Sequence, residues 1–152
     1  MPRVAMVTRA QARVGLVFRV MPNARCLTCR LYRVCAGLLR PRGRYRILAI
    51  RRKAHFCPLI RDYMVVVEVE ELPLLAAVES KVAVEGVTLR YESISCPRDS
   101  CPYYEYCTNS PLVEGEKVRV VKVVERIVCP ASRSLMLVEL LPVASFKGPN
   151  FR

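Results

Sequence analysis

Short apolar runs bounded by polar and turn-forming residues recur along this chain and predict strands rather than long helices. The segment Tyr63–Glu70 is the clearest case, because valine fills four of its eight positions. Similar composition predicts further strands, which are Gly15–Val20, Tyr45–Arg51, Val84–Tyr91, Val118–Val124 and Leu135–Leu141. We therefore predict a mostly β protein of the α+β type, with short helical turns only where cysteines cluster.

Two segments carry no clear strand pattern. Residues 72–83 are interpreted as a connector, entered at Pro73 and able to form a helix over Leu72–Ser80. Residues 145–152 are interpreted as a C-terminal tail that is loose or folds onto a partner. The remaining chain divides into a first repeat, 1–71, and a second repeat, 84–144.

The repeats are defined by their cysteines. Three cysteines of the first half reappear 72 residues later, as Cys29/Cys101, Cys35/Cys107 and Cys57/Cys129. Only the first member departs from this spacing, since Cys26 is followed by Cys96 after 70 residues. A long repeated spacing indicates an internal duplication. We expect two pseudo-symmetric copies of a small β unit, each covering the other's apolar sheet face.

Four thiols in each copy are sufficient for a tetrahedral metal site or one cubane iron–sulfur cluster. The predicted ligand sets are Cys26, Cys29, Cys35 and Cys57 for the first centre, and Cys96, Cys101, Cys107 and Cys129 for the second. Close cysteine pairs in an intracellular protein usually bind metal, although disulfides occur inside hyperthermophiles. The single Cys-x2-Cys knuckle and the Cys-Pro dipeptides favour a [4Fe-4S] cluster, with zinc as the alternative.

These cysteine patterns, together with His55-Phe56-Cys57-Pro58, Val84-Glu85-Gly86 and Val128-Cys129-Pro130, resemble an archaeal family, the uncharacterised protein family 0179 of the UPF series. The resemblance covers nearly the whole chain. It implies that all eight cysteines are ligands, of centres suggested in the family to be iron–sulfur redox sites, and it implies no established activity. The single histidine, His55, could be a fifth ligand or a hydrogen-bond donor to a thiolate, but its counterpart is Ile127, so we expect it to be a partly buried or surface residue instead.

Charge is distributed very unevenly. Residues 1–61 contain fourteen arginines and one lysine and no acidic residue, whereas residues 62–152 contain ten basic and thirteen acidic residues. The predicted nucleic-acid contacts are the densest basic positions, Arg25, Arg30, Arg33, Arg40, Arg42, Arg44, Arg46, Arg51, Arg52 and Lys53. Tyr32, Tyr45 and Phe56 interleave with them, and arginine planes and aromatic rings stack on unpaired bases. RNA is the favoured partner, because no duplex-reading motif is present.

The sequence contains no constellation typical of an enzyme, since it has one histidine, no phosphate-binding glycine loop and no paired carboxylates. The leading interpretation is a metal-stabilised RNA-binding protein that works with the ribosome or another ribonucleoprotein. The alternative is a two-cluster redox protein, an electron carrier or sensor that docks an acidic protein. No secretory signal or membrane span is predicted, so we expect a cytoplasmic protein and no membrane partner.

Overall fold

A computed structural model of the protein describes residues 3–21, 23–144 and 146. They form two compact units, one that ends at Leu72 and also includes Phe146, and one that spans Pro73–Ala144. Each unit contains one four-stranded antiparallel sheet. The predicted mostly β character is therefore confirmed.

The first unit is built from strands β1 to β4. Their bounds are Arg3–Thr8 for β1, Val17–Arg19 for β2, Arg44–Cys57 for β3 and Asp62–Glu71 for β4. The order across the sheet is β1-β4-β3-β2. Two short helices lie between β2 and β3: a 3-10 turn over Ala24–Thr28 and the α1 turn over Tyr32–Cys35.

The second unit repeats this arrangement with strands β5 to β8. Their bounds are Leu74–Glu79 for β5, Thr88–Arg90 for β6, Lys117–Ile127 for β7 and Leu135–Pro142 for β8. The order across the sheet is β5-β8-β7-β6, the same connectivity as in the first unit. A 3-10 turn follows β5 at Ser80–Val82, and the α2 turn covers Tyr104–Cys107.

Alternation of side chains decides which face of each sheet is buried. The core of the first unit gathers β-branched and aromatic residues such as Tyr45, Ile47 and Val67, each 0% exposed. In the second unit, Val120 and Leu140 have the same role and are also fully buried. Apolar side chains at alternate strand positions bury one face of a sheet while the other face stays solvated.

Two strands were not predicted. The segment 72–83, expected to be a connector, contains β5, which pairs with β8 from Leu74↔Leu140 to Glu79↔Leu135. The prediction was wrong because a short apolar run has no periodicity that separates strand from helix. Its counterpart β1, in the N-terminal segment, pairs with β4. Of the predicted tail 145–152, only Phe146 lies among the described residues.

The turns of the two units also correspond. Three pairs of residues at equivalent places have a left-handed backbone conformation, with positive φ. The φ angles are 88° and 84° for Gly15/Gly86, 62° and 79° for Arg42/Gly115, and 54° and 59° for Arg61/Ser132. Their sequence separations are 71, 73 and 71 residues rather than 72. One-residue insertions and deletions, both between the cysteines and outside them, therefore distinguish the two units.

No helix among the described residues is long and apolar enough to cross a membrane.

Candidate functional site

Each unit brings its four predicted cysteines to the wall of one cavity. In the first unit, Cys26, Cys29, Cys35 and Cys57 line a cavity of about 240 Å³. In the second unit, Cys96, Cys101, Cys107 and Cys129 line a much smaller cavity of about 20 Å³. None of the eight forms a disulfide.

Local backbone structure places these cysteines. The 3-10 turn that carries Cys26 begins at Asn23, whose side-chain oxygen accepts a hydrogen bond from the backbone N–H of Arg25 at 2.9 Å. Cys29 ends this turn, Cys35 lies at the end of α1, and Cys57 is the last residue of β3. The fourth cysteine thus reaches the cavity from the sheet, while the other three come from the loop.

The same hydrogen bonds shape the loop in the second unit. The N–H of Tyr32 donates to the carbonyl of Cys29 at 3.0 Å, and the N–H of Tyr104 donates to that of Cys101 at 3.0 Å. The pattern differs only at the first cysteine. The N–H of Cys29 donates to the Cys26 carbonyl, whereas the N–H of Cys101 donates to the Arg98 carbonyl, both at 3.1 Å. Arg98 therefore occupies the backbone position of Cys26, and Cys96 reaches the cavity from two residues earlier.

Burial makes three of these thiols, Cys26, Cys35 and Cys107, weaker acids in the absence of a bound cation. Burial and, to a smaller extent, the other three thiols of the set together raise the pKa of Cys35 to about 11. The same causes raise the pKa of Cys107 to about 11, against a lowering effect of the Arg133 charge. The other sulfurs of each set are therefore close enough to Cys35 and to Cys107 to oppose the ionisation of these two thiols.

The second cavity contains a compensating positive charge. Arg98 and Arg133 both line it. The backbone N–H of Arg133 lowers the pKa of Cys129, as do the N–H of Ala131 and the charges of Arg133 and Arg98, against an opposing effect of burial. The first cavity is lined by one arginine, Arg25. The sequence analysis did not assign Arg98 or Arg133 a role; their proximity to Cys96 and Cys129 in the chain was the available signal.

The donor set fits a soft metal centre, because the described lining of each cavity contains four thiols and no carboxylate. In their present positions, however, the described histidine, cysteine and acidic side chains form no group that could hold a metal ion. Metal ligation by these eight residues therefore stays a prediction.

The described lining of the first cavity does not include His55. This residue lies on β3 opposite Met64 and is half-buried.

The basic residues of the first unit concentrate on β3 and the cysteine loop. The ladder between β3 and β4 runs from Ile50↔Val67 directly to Ala54↔Val65, so three residues oppose one. This bulge contains Arg51, Arg52 and Lys53, all exposed. An irregularity of this size turns residues out of the ladder. At the corresponding place in β7 only one extra residue, Val124, separates Val123↔Val138 from Glu125↔Leu137.

The predicted nucleic-acid contacts fall into three groups. Arg25, Arg30, Arg33, Arg52 and Lys53 are exposed and have no acidic partner among the described residues. Arg46 and Arg51 are exposed but pair with Glu70 at 3.2 Å and Glu68 at 2.7 Å. Arg42 and Arg44 are half-buried.

Arg40 must be removed from the predicted set. Its side chain is 0% exposed and its Nε donates to Oε1 of Glu71 at 2.8 Å. Its guanidinium also lies over the ring of Phe146, 5.2 Å from the centroid. A buried arginine held by a carboxylate and an aromatic ring is a structural element and cannot contact a phosphate in solution.

Comparison with known proteins agrees with the resemblance seen in the sequence. The model of an uncharacterised protein family, UPF0179, matches residues 3–140. A UPF0179 protein of Methanocaldococcus jannaschii is 38% identical over 119 residues, which is 76% of this chain and 79% of the relative. Those of Pyrobaculum arsenaticum and Methanosarcina acetivorans are each 36% identical, over 93% and 91% of this chain and 82% and 95% of their own lengths. No solved structure matches. The chain belongs to the UPF0179 family.

Proposed function

We propose that this member of the UPF0179 family is an RNA-binding protein whose two units arose by duplication and are each stabilised by a four-cysteine metal centre. The observation that supports RNA binding best is the exposed basic bulge of β3, in which Arg52 and Lys53 have no acidic partner among the described residues and Arg51 pairs with Glu68. Exposed basic side chains turned out of a ladder suit contact with phosphates.

The distribution of arginine between the two cavities supports the same proposal. The first unit contains most of the arginines, yet Arg25 is the one arginine among the described residues that lines its cysteine cavity. The second unit is poorer in arginine, and two arginines line its cavity. The positive charge of the first unit is therefore directed to the surface rather than to its own thiols, which favours an external polyanion over internal neutralisation.

The metal part of the proposal is supported by the convergence of four thiols in each unit. Small β units of this size have limited cores, and a metal bound by the folded state adds stability. When bound, such a centre would join the loop that carries Cys26, Cys29 and Cys35 to the end of β3 at Cys57.

RNA binding can be tested with two matched variants. One replaces Arg30, Arg33, Arg52 and Lys53 by alanine; the other replaces four exposed cations of β7, Lys117, Arg119, Lys122 and Arg126. Binding of a labelled single-stranded RNA is measured over a range of KCl concentrations. Removal of each side chain that binds a phosphate should reduce the slope of log K against log salt by about 0.7.

We expect the first variant to lose affinity and slope and the second to bind nearly as the wild type does. Equal losses in both variants, or salt-insensitive binding by the wild type, would contradict the proposal. An acidic protein assayed in parallel distinguishes RNA from a general polyanion. Preference for that protein over RNA would instead favour the redox alternative.

The alternative function, a two-cluster redox protein, is favoured by one feature. The four thiols of the first unit surround an apolar cavity of about 240 Å³ rather than a single point. A [4Fe-4S] cluster needs such a space, because its four thiolates bind four different irons. Anaerobically purified protein should then be brown and should bleach with dithionite, whereas a colourless zinc protein would exclude this function.

A further inference from the structure

An aromatic pair lies on the β3–β4 hairpin beyond the basic bulge. Phe56 and Tyr63 are directly opposite each other in the ladder, with ring centroids 5.6 Å apart and an interplanar angle of 75°. Phe56 is 50% exposed and Tyr63 is 52% exposed. The other aromatic pair of this unit, Phe18 and Tyr45, belongs to the core, where Tyr45 is fully buried.

A cross-strand aromatic pair can simply stabilise a hairpin. That role alone does not account for its exposure, since large aromatic side chains at structural positions usually bury most of their surface. Exposed rings with free faces are the feature on which unpaired bases stack. The neighbouring charges decide between these roles.

Positive charge flanks the aromatic pair on both sides along the hairpin. The basic bulge ends at Ala54, two ladder positions before Phe56, and Arg61 lies in the turn that precedes β4. Arg61 is exposed and has a left-handed backbone conformation, with a φ of 54°. Lys53 and Arg52 lie three and four residues before Phe56, which is roughly 10 to 13 Å along an extended strand, so their long side chains can reach phosphates next to a base stacked on the pair.

The nearest acidic residue is already neutralised. Asp62 accepts a hydrogen bond from Arg9 at 2.7 Å and another from the backbone N–H of Tyr63 at 2.7 Å. These contacts lower the pKa of Asp62, with the Arg9 hydrogen bond as the largest cause. The carboxylate is thus occupied by Arg9 and does not oppose an approaching phosphate.

The second unit lacks this aromatic pair at the equivalent end of its hairpin. The β7–β8 ladder ends at Ile127↔Leu135. Beyond it lie Val128, 83% exposed, and Ser134 where the first unit has Phe56 and Tyr63. Exposed cations are present here too, since Arg126 and Arg133 lie close by in the sequence. The aromatic pair, rather than the charge, therefore distinguishes this end of the basic unit.

From this arrangement we propose that Phe56 and Tyr63 form a stacking platform for the unpaired bases of single-stranded RNA. Arg52, Lys53 and Arg61 contact the phosphates on either side. This inference rests on the proposed RNA binding and specifies its substrate class. A duplex cannot use the platform, because its bases already stack on one another.

The test compares Tyr63→Ala, Tyr63→Leu and Tyr63→Phe in full-length protein with Val128→Ala as the control. Tyr63 is the better position to change, since Phe56 also lines the first cysteine cavity. The probes are a short fluorescein-labelled RNA of mixed sequence and the duplex of the same sequence. Loss of one stacked base should weaken binding roughly 5-fold to 150-fold.

We expect weaker single-strand binding for Tyr63→Ala and Tyr63→Leu, near-normal binding for Tyr63→Phe, and an unchanged salt slope in all three. Leucine keeps the apolar bulk of the hairpin, so weak binding by a folded Tyr63→Leu protein cannot be attributed to unfolding. Wild-type affinity in the leucine variant, or equal affinity for the duplex, would overturn the platform and leave RNA binding by the basic residues intact. Absence of any RNA binding by the wild type would overturn both.

Discussion

Arg40 and Glu71 form an ion pair inside the first unit, with 2.8 Å between Nε and Oε1 and 0% and 13% of their side chains exposed. They are 31 residues apart in sequence and join the turn before β3 to the end of β4. Arg40 also uses its backbone N–H, which donates to the hydroxyl of Tyr45 at 2.8 Å. Arg40, the buried cation of the basic segment, thus links two parts of the first unit and stabilises its fold.

Arg40→Ala should destabilise the protein by about 3 kcal/mol, because it leaves the carboxylate of Glu71 poorly solvated and without its cation. Urea denaturation followed by circular dichroism measures this change. The exposed pair Arg46–Glu70 is the control, and Arg46→Ala should cost less than about 1 kcal/mol. Similar losses in the two variants would show that the buried pair has no special role.

The two buried tyrosines should respond differently to loss of the hydroxyl. Tyr45→Phe leaves the N–H of Arg40 without its acceptor and should cost about 1 to 2 kcal/mol. The hydroxyl of Tyr91 is buried without a hydrogen bond of normal geometry among the described residues, although the Ser110 side chain is near enough to lower its pKa against the larger, raising effect of burial. Tyr91→Phe should therefore be neutral or stabilising in the same denaturation assay. A larger loss for Tyr91→Phe than for Tyr45→Phe would contradict this assignment.

Stability should fall between pH 10 and 12 because of Tyr45. Burial raises the pKa of its hydroxyl to about 12, and the negative charge of Glu71 acts in the same direction against the N–H of Arg40. The unfolded chain loses this proton near pH 10, so over that interval the folded state binds more protons and stability declines as pH rises. The full contribution is present below pH 10 and is lost as pH rises through 12.

The measurement is the difference in unfolding free energy between wild type and Tyr45→Phe as a function of pH. This difference should shrink by on the order of 2 kcal/mol over the interval. The buried thiols also titrate in this range, but they are present in both proteins and cancel. A difference that stays constant from pH 9 to 12 would indicate that Tyr45 is not the titrating group.

Each cysteine set should bind its own metal. Cys29→Ser should remove one metal equivalent and leave the second centre intact, while Cys101→Ser should do the reverse, since the two sets line separate cavities. Metal content and the visible spectrum of anaerobically purified protein check this result. Wild-type protein without stoichiometric metal, or loss of both equivalents in either variant, would contradict two independent centres.

Most strands could be predicted from local composition, because valine-rich apolar runs such as Tyr63–Glu70 favour an extended backbone. The strand Leu74–Glu79 could not, because its run of apolar residues has no distinguishing period and becomes a strand only by pairing with β8. The three-residue bulge could not be predicted for a related reason. It arises from the pairing of β3 with β4, and the sequence of either strand alone does not show it.

The sequence by itself identified the candidate metal ligands. The spacing of the eight cysteines separated them into two sets of four, and the structure brings each set to the wall of one cavity. The composition alone placed the positive charge in the first half. Only the tertiary structure decided which of those charges face water. Arg40 and Arg52 are alike in the sequence, but the first meets Glu71 and Phe146 in the interior and the second lies exposed in a bulge. Such differences arise from contacts between residues far apart along the chain, which local pattern does not encode.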